Sequence, residues 1–466
     1  RASLDLSGSA SYTARYRPGI LFLDMALLVS GLLGLGVAFW GLFHDIGAIA
    51  QPFYAYAWWS TILALDGLTA LRRQSSILTS RRNLLFPLLV WSVTFWFLFE
   101  LLNLRFQNWY YVGVFAGGSG VDLVKGSLFG IVSFATVFLG IFETFDALGG
   151  RGIEARPRLL PKWAAYSIQS VGALMVGLAI LFPRFLAPLV WGSVTFVLDP
   201  VNYRRGARSL LADLEAGSFR TLARLLLAGL LCGLLWESFN YFSPQKWIYT
   251  VRGVEGLKLF EMPLLGFLGF PALALDAFSF FAFVSYWLHG NRTWENPEDV
   301  FQKLAARKAL GTSAFAATLP LHVALWVTVS LSIQGVNVGS VELEMEDLRT
   351  LSPDIVLQLE ERGIARPRQL LAAIEDPERL RGIALPPSDL RVVEAEIRLF
   401  TLKGIGWHHG ELLRQAGIES VEELALADPD ELYRTLERER GAATFPALRP
   451  DMVRVWVDAA REGKPR

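Results

Sequence analysis

Long apolar runs fill the first 335 residues and leave the chain one solvent in which to fold. A helix needs about 20 apolar residues to cross the hydrocarbon core of a bilayer. Nine segments reach that length: roughly 19–43, 52–71, 84–103, 127–148, 163–183, 185–203, 221–241, 264–288 and 312–334. Inside lipid every backbone N–H and C=O needs an internal partner, so each run is expected as a helix. The 53% apolar content exceeds the share of about 45 to 50% usual in soluble domains. The last run is the least regular, because Pro320 and His322 interrupt it.

Loop charge sets the expected orientation, since Lys and Arg gather on the cytoplasmic side. Alternate loops hold 17 basic residues, including Arg72, Arg73, Arg81, Arg204, Arg205, Arg208, Arg220 and Arg292. The opposite loops hold six, namely Arg105, Lys125, Arg184, Lys246, Arg252 and Lys258. The N-terminus is therefore expected in the cytoplasm of a bacterial inner membrane. With nine spans the C-terminal region emerges on the outer, periplasmic side.

Residues 58–78 and 191–211 align without a gap at an offset of 133, matching Trp58 with Trp191, Asp66 with Asp199, Ser76 with Ser209 and Leu78 with Leu211. The match continues at slightly larger offsets, Glu100 with Glu237, Asn103 with Asn240 and Trp109 with Trp247. An even repeat of four helices keeps one orientation, so the halves are expected to be related by a pseudo-twofold axis along the membrane normal. The fold class is all-α: a bundle of nine spans on a 4+4 parallel repeat, with a small helical C-terminal soluble domain. The boundaries are 1–18 for a cytoplasmic segment, 19–150 and 151–290 for the repeats, 291–335 for a linker and the ninth helix, 336–344 for a second linker, and 345–466 for the tail.

The candidate binding residues lie where each repeat leaves the membrane. Glu100 and Asn103, like Glu237 and Asn240, share one helix face at i, i+3 spacing and precede aromatic runs with Trp109, Trp247 and Tyr249. A carboxylate one turn inside the boundary needs a partner, and Arg105 or Lys246 is placed to neutralise it. Glu261 precedes the eighth helix, which Pro263, Gly266, Gly269 and Pro271 make irregular, and Asp276 falls near that helix's middle. Intramembrane carboxylates are functional candidates by default. The aromatic rim suits a lipid, quinone or pigment, and His322 is the one intramembrane candidate for holding a cofactor. Asp66 and Asp199 are expected to pair with nearby cytoplasmic arginines. Cys232 stands alone, no two histidines share metal-ligand spacing, and no nucleophile or phosphate-loop motif is present, so no metal site is expected.

Residues 403–432 carry Gly404-Ile405-Gly406 before a helix, then Ala416-Gly417-Ile418 and Asp428-Pro429. This pattern resembles the helix-hairpin-helix modules of DNA-repair proteins and of small domains of unknown function. An earlier stretch with Gly363-Ile364 and Asp376-Pro377 is similar to a second copy, without the Gly-Ile-Gly hairpin. The resemblance implies phosphate contacts at Lys403 to Gly406. Charge opposes it: from Met345 onward 18 basic and 23 acidic side chains give a net of −5, whereas nucleic-acid binding calls for a basic footprint. The expected partners are membrane lipids and other protein subunits docked through the tail, not nucleic acid. With no catalytic constellation, the chain reads as a binding or scaffold subunit of a membrane complex. The alternative is a membrane enzyme or transporter working through Glu100, Glu237, Glu261 and Asp276.

Overall fold

The computed structural model describes residues 18–113, 120–150, 154–251, 258–260, 262–304, 312–336, 340, 343–383, 385–441 and 447–463. Their apolar bundle is built from α1 (Pro18–Phe43), α2 (Phe53–Arg73), α3 (Leu85–Phe106), α4 (Gly120–Phe134), α5 (Thr136–Leu148), α6 (Lys162–Leu181), α7 (Ser193–Arg205), α8 (Arg220–Phe242), α9 (Gly269–Leu288) and α10 (Thr312–Val336). Two strands, β1 (Trp109–Val112) and β2 (Lys246–Tyr249), lie at one end of this bundle. The tail adds α11 (Pro353–Glu360), α12 (Pro367–Ile374), α13 (Pro387–Phe400), α14 (Gly406–Gln415), α15 (Val421–Leu426), α16 (Pro429–Arg440) and α17 (Pro450–Arg461).

Eight helical stretches among the described residues are long and apolar enough to cross a membrane. The segment expected at 52–71 is not one of the eight. It forms α2, a helix of 21 residues, but carries Thr61, Asp66 and Thr69 on buried faces. Neighbouring helices cover α2, so its surface need not match lipid. Small residues bring α1 and α2 together in antiparallel fashion: a Cβ on Gly31 would strike the backbone of Ser60 and Ala64, and one on Gly67 the backbone of Leu28 and Asp24. The apolar stretch Val124–Leu148, spanning α4 and α5, is central, with 78% of it buried, whereas those of α1 and α6, at 17%, form an exposed apolar margin.

Two expected spans are broken, and each break has a polar repair. The run predicted at 127–148 splits into α4 and α5, where Ser92 Oγ donates to Phe134 O at 2.7 Å and accepts from Phe138 N at 3.0 Å. One hydroxyl thus bridges two backbone groups that a continuous helix would have joined. The run predicted at 185–203 breaks at Gly192, whose φ of 88° starts α7.

At the end away from the strands, Asp66 accepts from Ser76 Oγ and Leu78 N, both at 2.8 Å. Asp199 does the same with Ser209 Oγ at 3.1 Å, Leu210 N at 2.8 Å and Leu211 N at 2.9 Å. Both carboxylates therefore fasten the turn that follows their helix, a role that the expected arginine pairing did not include. The segment after α9 folds back beneath the bundle, stacking Trp294 on Phe142 with ring centroids 3.9 Å apart. Its buried Asp299 faces Arg73, Arg220 and Arg224. In the same layer Arg208 bridges Asp213 and Glu295 at 2.7 Å each.

In the tail Pro opens α11, α12, α13, α16 and α17 at a position where its missing N–H is harmless. The two similar stretches end their first helices alike. Ile364 N reaches Leu359 O and Ile418 N reaches Leu413 O, both at 2.9 Å, after glycines at φ 75° and 83°.

Gly67→Val is expected to destabilise the detergent-solubilised protein by roughly 1 to 3 kcal/mol, read as a lowered thermal midpoint. Gly36, whose Cβ would meet nothing within 4 Å, should tolerate Val. The arginines around Asp299 hold its carboxyl below the usual carboxylate value of 3.8, although burial opposes them. A depressed carboxylate contributes stability above its unfolded pKa and loses it as pH falls toward the folded one. Asp299→Asn should cost roughly 3 to 5 kcal/mol at pH 7, with the gap to wild type narrowing below about pH 4.

Candidate functional site

The two aromatic segments predicted at the outer rim meet as an antiparallel ladder. β1 pairs with β2 in the register Trp109 to Tyr249, Tyr110 to Ile248, Tyr111 to Trp247 and Val112 to Lys246. Exchanging 109–111 with 247–249 maps this ladder onto itself about the Tyr110–Ile248 pair. Side chains of a strand alternate between faces. Trp109, Tyr111, Trp247 and Tyr249 enter an aromatic layer with Trp96, Trp191 and Trp326, whereas Tyr110, Val112 and Ile248 enter the hydrophobic core of the tail.

The Glu-x-x-Asn pairs hold this ladder to the helices that precede it. Asn103 Nδ2 donates to Trp109 O at 3.0 Å, and its Oδ1 accepts from Asn108 N at 2.9 Å. Asn240 repeats the clasp, donating to Trp247 O at 3.0 Å and accepting from Trp247 N at 2.9 Å. Glu237 Oε1 accepts from the Tyr249 hydroxyl at 2.7 Å. Glu100 Oε1 accepts from Trp96 Nε1 at 3.0 Å, from Trp109 Nε1 at 3.1 Å and from the Tyr111 hydroxyl. Burial first, and then the facing carboxylate, raises both tyrosines well above the ordinary phenol value, so they remain donors. All four clasp residues are fully buried.

The remaining candidates do not join them in one cluster. Arg105 is exposed and makes no ion pair with Glu100. Lys246 is buried, and its Nζ donates to Tyr241 O at 2.6 Å. Asp276 sits at the start of α7, accepting from Gly192 N at 2.8 Å, Thr195 N at 2.7 Å and Thr195 Oγ1 at 2.8 Å. It is a helix cap supplied from a neighbouring helix, where a negative charge suits the dipole. His322 places Nδ1 2.6 Å from Thr94 Oγ1 and Nε2 3.3 Å from Thr318 Oγ1, so both ring nitrogens have protein partners. Glu261 lies outside the described residues. No group of three His, Cys, Asp or Glu residues suited to a metal ion occurs among the described residues.

Sequence reasoning passed over the contacts that seat the tail. The Tyr110 hydroxyl donates to Gly404 O at 3.4 Å and accepts from Trp456 Nε1 at 3.1 Å. Gly404 has φ 77°, and a Cβ there would strike that hydroxyl. Arg366 of the tail pairs with Asp45 after α1 at 2.8 Å, and Gly113 N donates to Ser340 O at 2.8 Å. Tyr111 was detectable in the sequence, since it stands two residues after Trp109 as Tyr249 does after Trp247.

Asp276→Ala should strand the amides of Gly192 and Thr195 and cost roughly 1 to 3 kcal/mol, checked by thermal unfolding and by faster hydrogen exchange at the start of α7.

Comparison with known proteins reaches only the tail with a family. Residues 349–463 match DUF4332, a domain of unknown function. A DNA polymerase IV of Streptomyces coelicolor is 34% identical over 84 residues, which is 18% of this chain and 18% of that polymerase. The chain therefore spans less than one fifth of that relative's length. No solved structure matches the chain.

Proposed function

We propose that the protein is an integral membrane scaffold subunit that carries its helical tail as a fixed cap and uses it to dock other proteins. The observation behind this reading is the β1–β2 ladder, which packs on the bundle with one face and on the tail core with the other. Nine membrane helices form two parallel halves of four plus one, with 19–150 and 151–290 as the halves and 345–466 as the cap. The shared offset, the matched Asn clasps and the ladder's self-mapping support that duplication. The excess of basic residues in the loops at the other end supports a periplasmic cap on a bacterial inner membrane.

The cap is of helix-hairpin-helix type in this reading, with its two glycine-closed helix ends as the paired motifs. Its Gly404-Ile405-Gly406 hairpin is turned to the bundle: Tyr110 meets Gly404, and Ile405 is fully buried. A phosphate backbone has no access to a hairpin so seated, and the net acidic charge of the tail opposes one as well. The polymerase resemblance, over 18% of each chain, carries no polymerase activity into this reading. Leu357, Val392 and Leu426 remain exposed on the tail, at 57%, 55% and 87%, and supply apolar contacts for a protein partner. Trp109, Tyr111, Trp247 and Tyr249 pack in the aromatic layer of the bundle and Tyr110 in the core of the cap, which supports an anchoring role for the rim, beside the lipid, quinone or pigment that its aromatic surface suits.

A membrane enzyme or transporter would use carboxylates open to a cavity. Glu100 and Asp276 instead accept three hydrogen bonds each from groups that need holding in place.

In-cell crosslinking followed by gentle solubilisation should recover the wild-type chain with a stable set of protein partners. Tyr110→Ala should loosen the cap, exposing it to protease and reducing that recovery while the thermal midpoint of the bundle stays near wild type. Elution of the wild-type protein as a solitary monomer, without crosslinked partners, would overturn the scaffold reading.

A further inference from the structure

At the bundle end away from the cap, the last residues of α2, the residues following α5 and the first residue of α8 surround a groove of about 450 Å³. Its lining includes Arg72, Arg73, Arg220 and Glu298, with Gly149 and Gly150 between them. The arginines are committed to different degrees. Arg73 pairs with Glu298 and Asp299, and Arg220 with Asp299. Arg72 is exposed and donates to the carbonyl of Ala147 at 3.3 Å. A guanidinium has five N–H donors, so most of those on Arg72 remain for a ligand.

Charge points to an anion. Arg72, Arg73, Arg220 and Arg224 stand against Glu298 and Asp299, an excess of two positive charges at the edge of an apolar bundle. Asp146 also faces Arg73 and Arg224, but Arg81 pairs with it at 2.6 Å, and counting both leaves the excess unchanged. Among the described residues, a Cβ built on Gly149 meets nothing within 4 Å. The groove also lies where α2 and α5 end, which is the depth of lipid headgroups on the membrane reading proposed above, on which this inference rests. Planar, forked guanidinium donors match phosphate oxygens, and basic pockets between membrane helices at this depth suit anionic headgroups.

We propose that this groove binds a phosphate-bearing anion, supplied by the headgroup of an anionic phospholipid or by free phosphate. The test uses the full chain in neutral detergent, titrated separately with phosphatidylglycerol, phosphatidylcholine and inorganic phosphate, with retained ligand counted by native mass spectrometry. Phosphatidylglycerol should be retained in preference to phosphatidylcholine, and Arg72→Gln should weaken its binding about tenfold, as expected for loss of a charge-assisted contact. Arg105→Gln removes the same charge at the capped end and should change nothing. Glu298→Gln removes the groove's own carboxylate and should tighten binding, which keeps the idea testable if Arg72→Gln does not fold. Retention of inorganic phosphate without phosphatidylglycerol, again lost in Arg72→Gln, would assign the site to a soluble phosphate. Equal retention of every ligand by wild type, Arg72→Gln and Glu298→Gln would overturn the proposal.

Discussion

A chain that leaves its helix within an apolar slab exposes amides and carbonyls that no water can meet, and each such group costs free energy until something bonds it. The polar side chains of the bundle answer that constraint one break at a time. Ser92 bridges the gap between α4 and α5. Asp276 caps α7, and Asn103 and Asn240 receive the first turns beyond α3 and α8. Asp66 and Asp199 close the turns at the far end. In an aqueous protein a solvent molecule would serve many of these positions. Here the repair is built into the chain, by carboxylates and amides set at the helix ends and breaks.

The β1–β2 ladder is the most demanding case, because it is a scrap of sheet with only two strands. Such a pair is marginal by itself. It is stabilised by being covered on both faces, with aromatic rings of the bundle below and the helical core of the tail above. The Glu and Asn clasps keep its strands at the ends of α3 and α8, and the strands in turn offer the tail a flat apolar seat. Bundle and tail thus share a middle layer, and the packing of each depends on that layer.

Much of this organisation was legible in the sequence. Apolar length gave eight of the nine expected helical stretches as apolar enough to cross a membrane, and charge density marked the tail. Segment 52–71 shows where hydropathy stops informing: α2 is covered by protein, so its polar residues report on neighbours and not on lipid. The Glu-x-x-Asn spacing drew attention to four residues that hydrogen-bond to the strand segments. Their partners were harder to see, because a strand pairing between residues 109 and 249 is set by tertiary geometry and leaves no local period. Asp276 stood out as an intramembrane carboxylate, and its oxygens are matched to amides 84 and 81 residues away in sequence, which no local pattern announces. Tyr110 carried no signal either, since its neighbours Trp109 and Tyr111 are aromatic as well and only strand alternation separates them.

The near-twofold form of the ladder has a consequence for the cap that rests on it. Turned by half a revolution about the Tyr110–Ile248 pair, the paired backbone maps onto itself, so taken alone it would admit the cap in two orientations. A single hydroxyl splits them: Tyr110 reaches Gly404 and Trp456, while Ile248 has no polar atom to offer in the opposite pose. The ion pair between Arg366 and Asp45, off the axis, adds a lever arm that fixes the same choice. The azimuth of the cap, and with it the direction in which its exposed surface points, is therefore held by contacts that the ladder's own symmetry does not repeat.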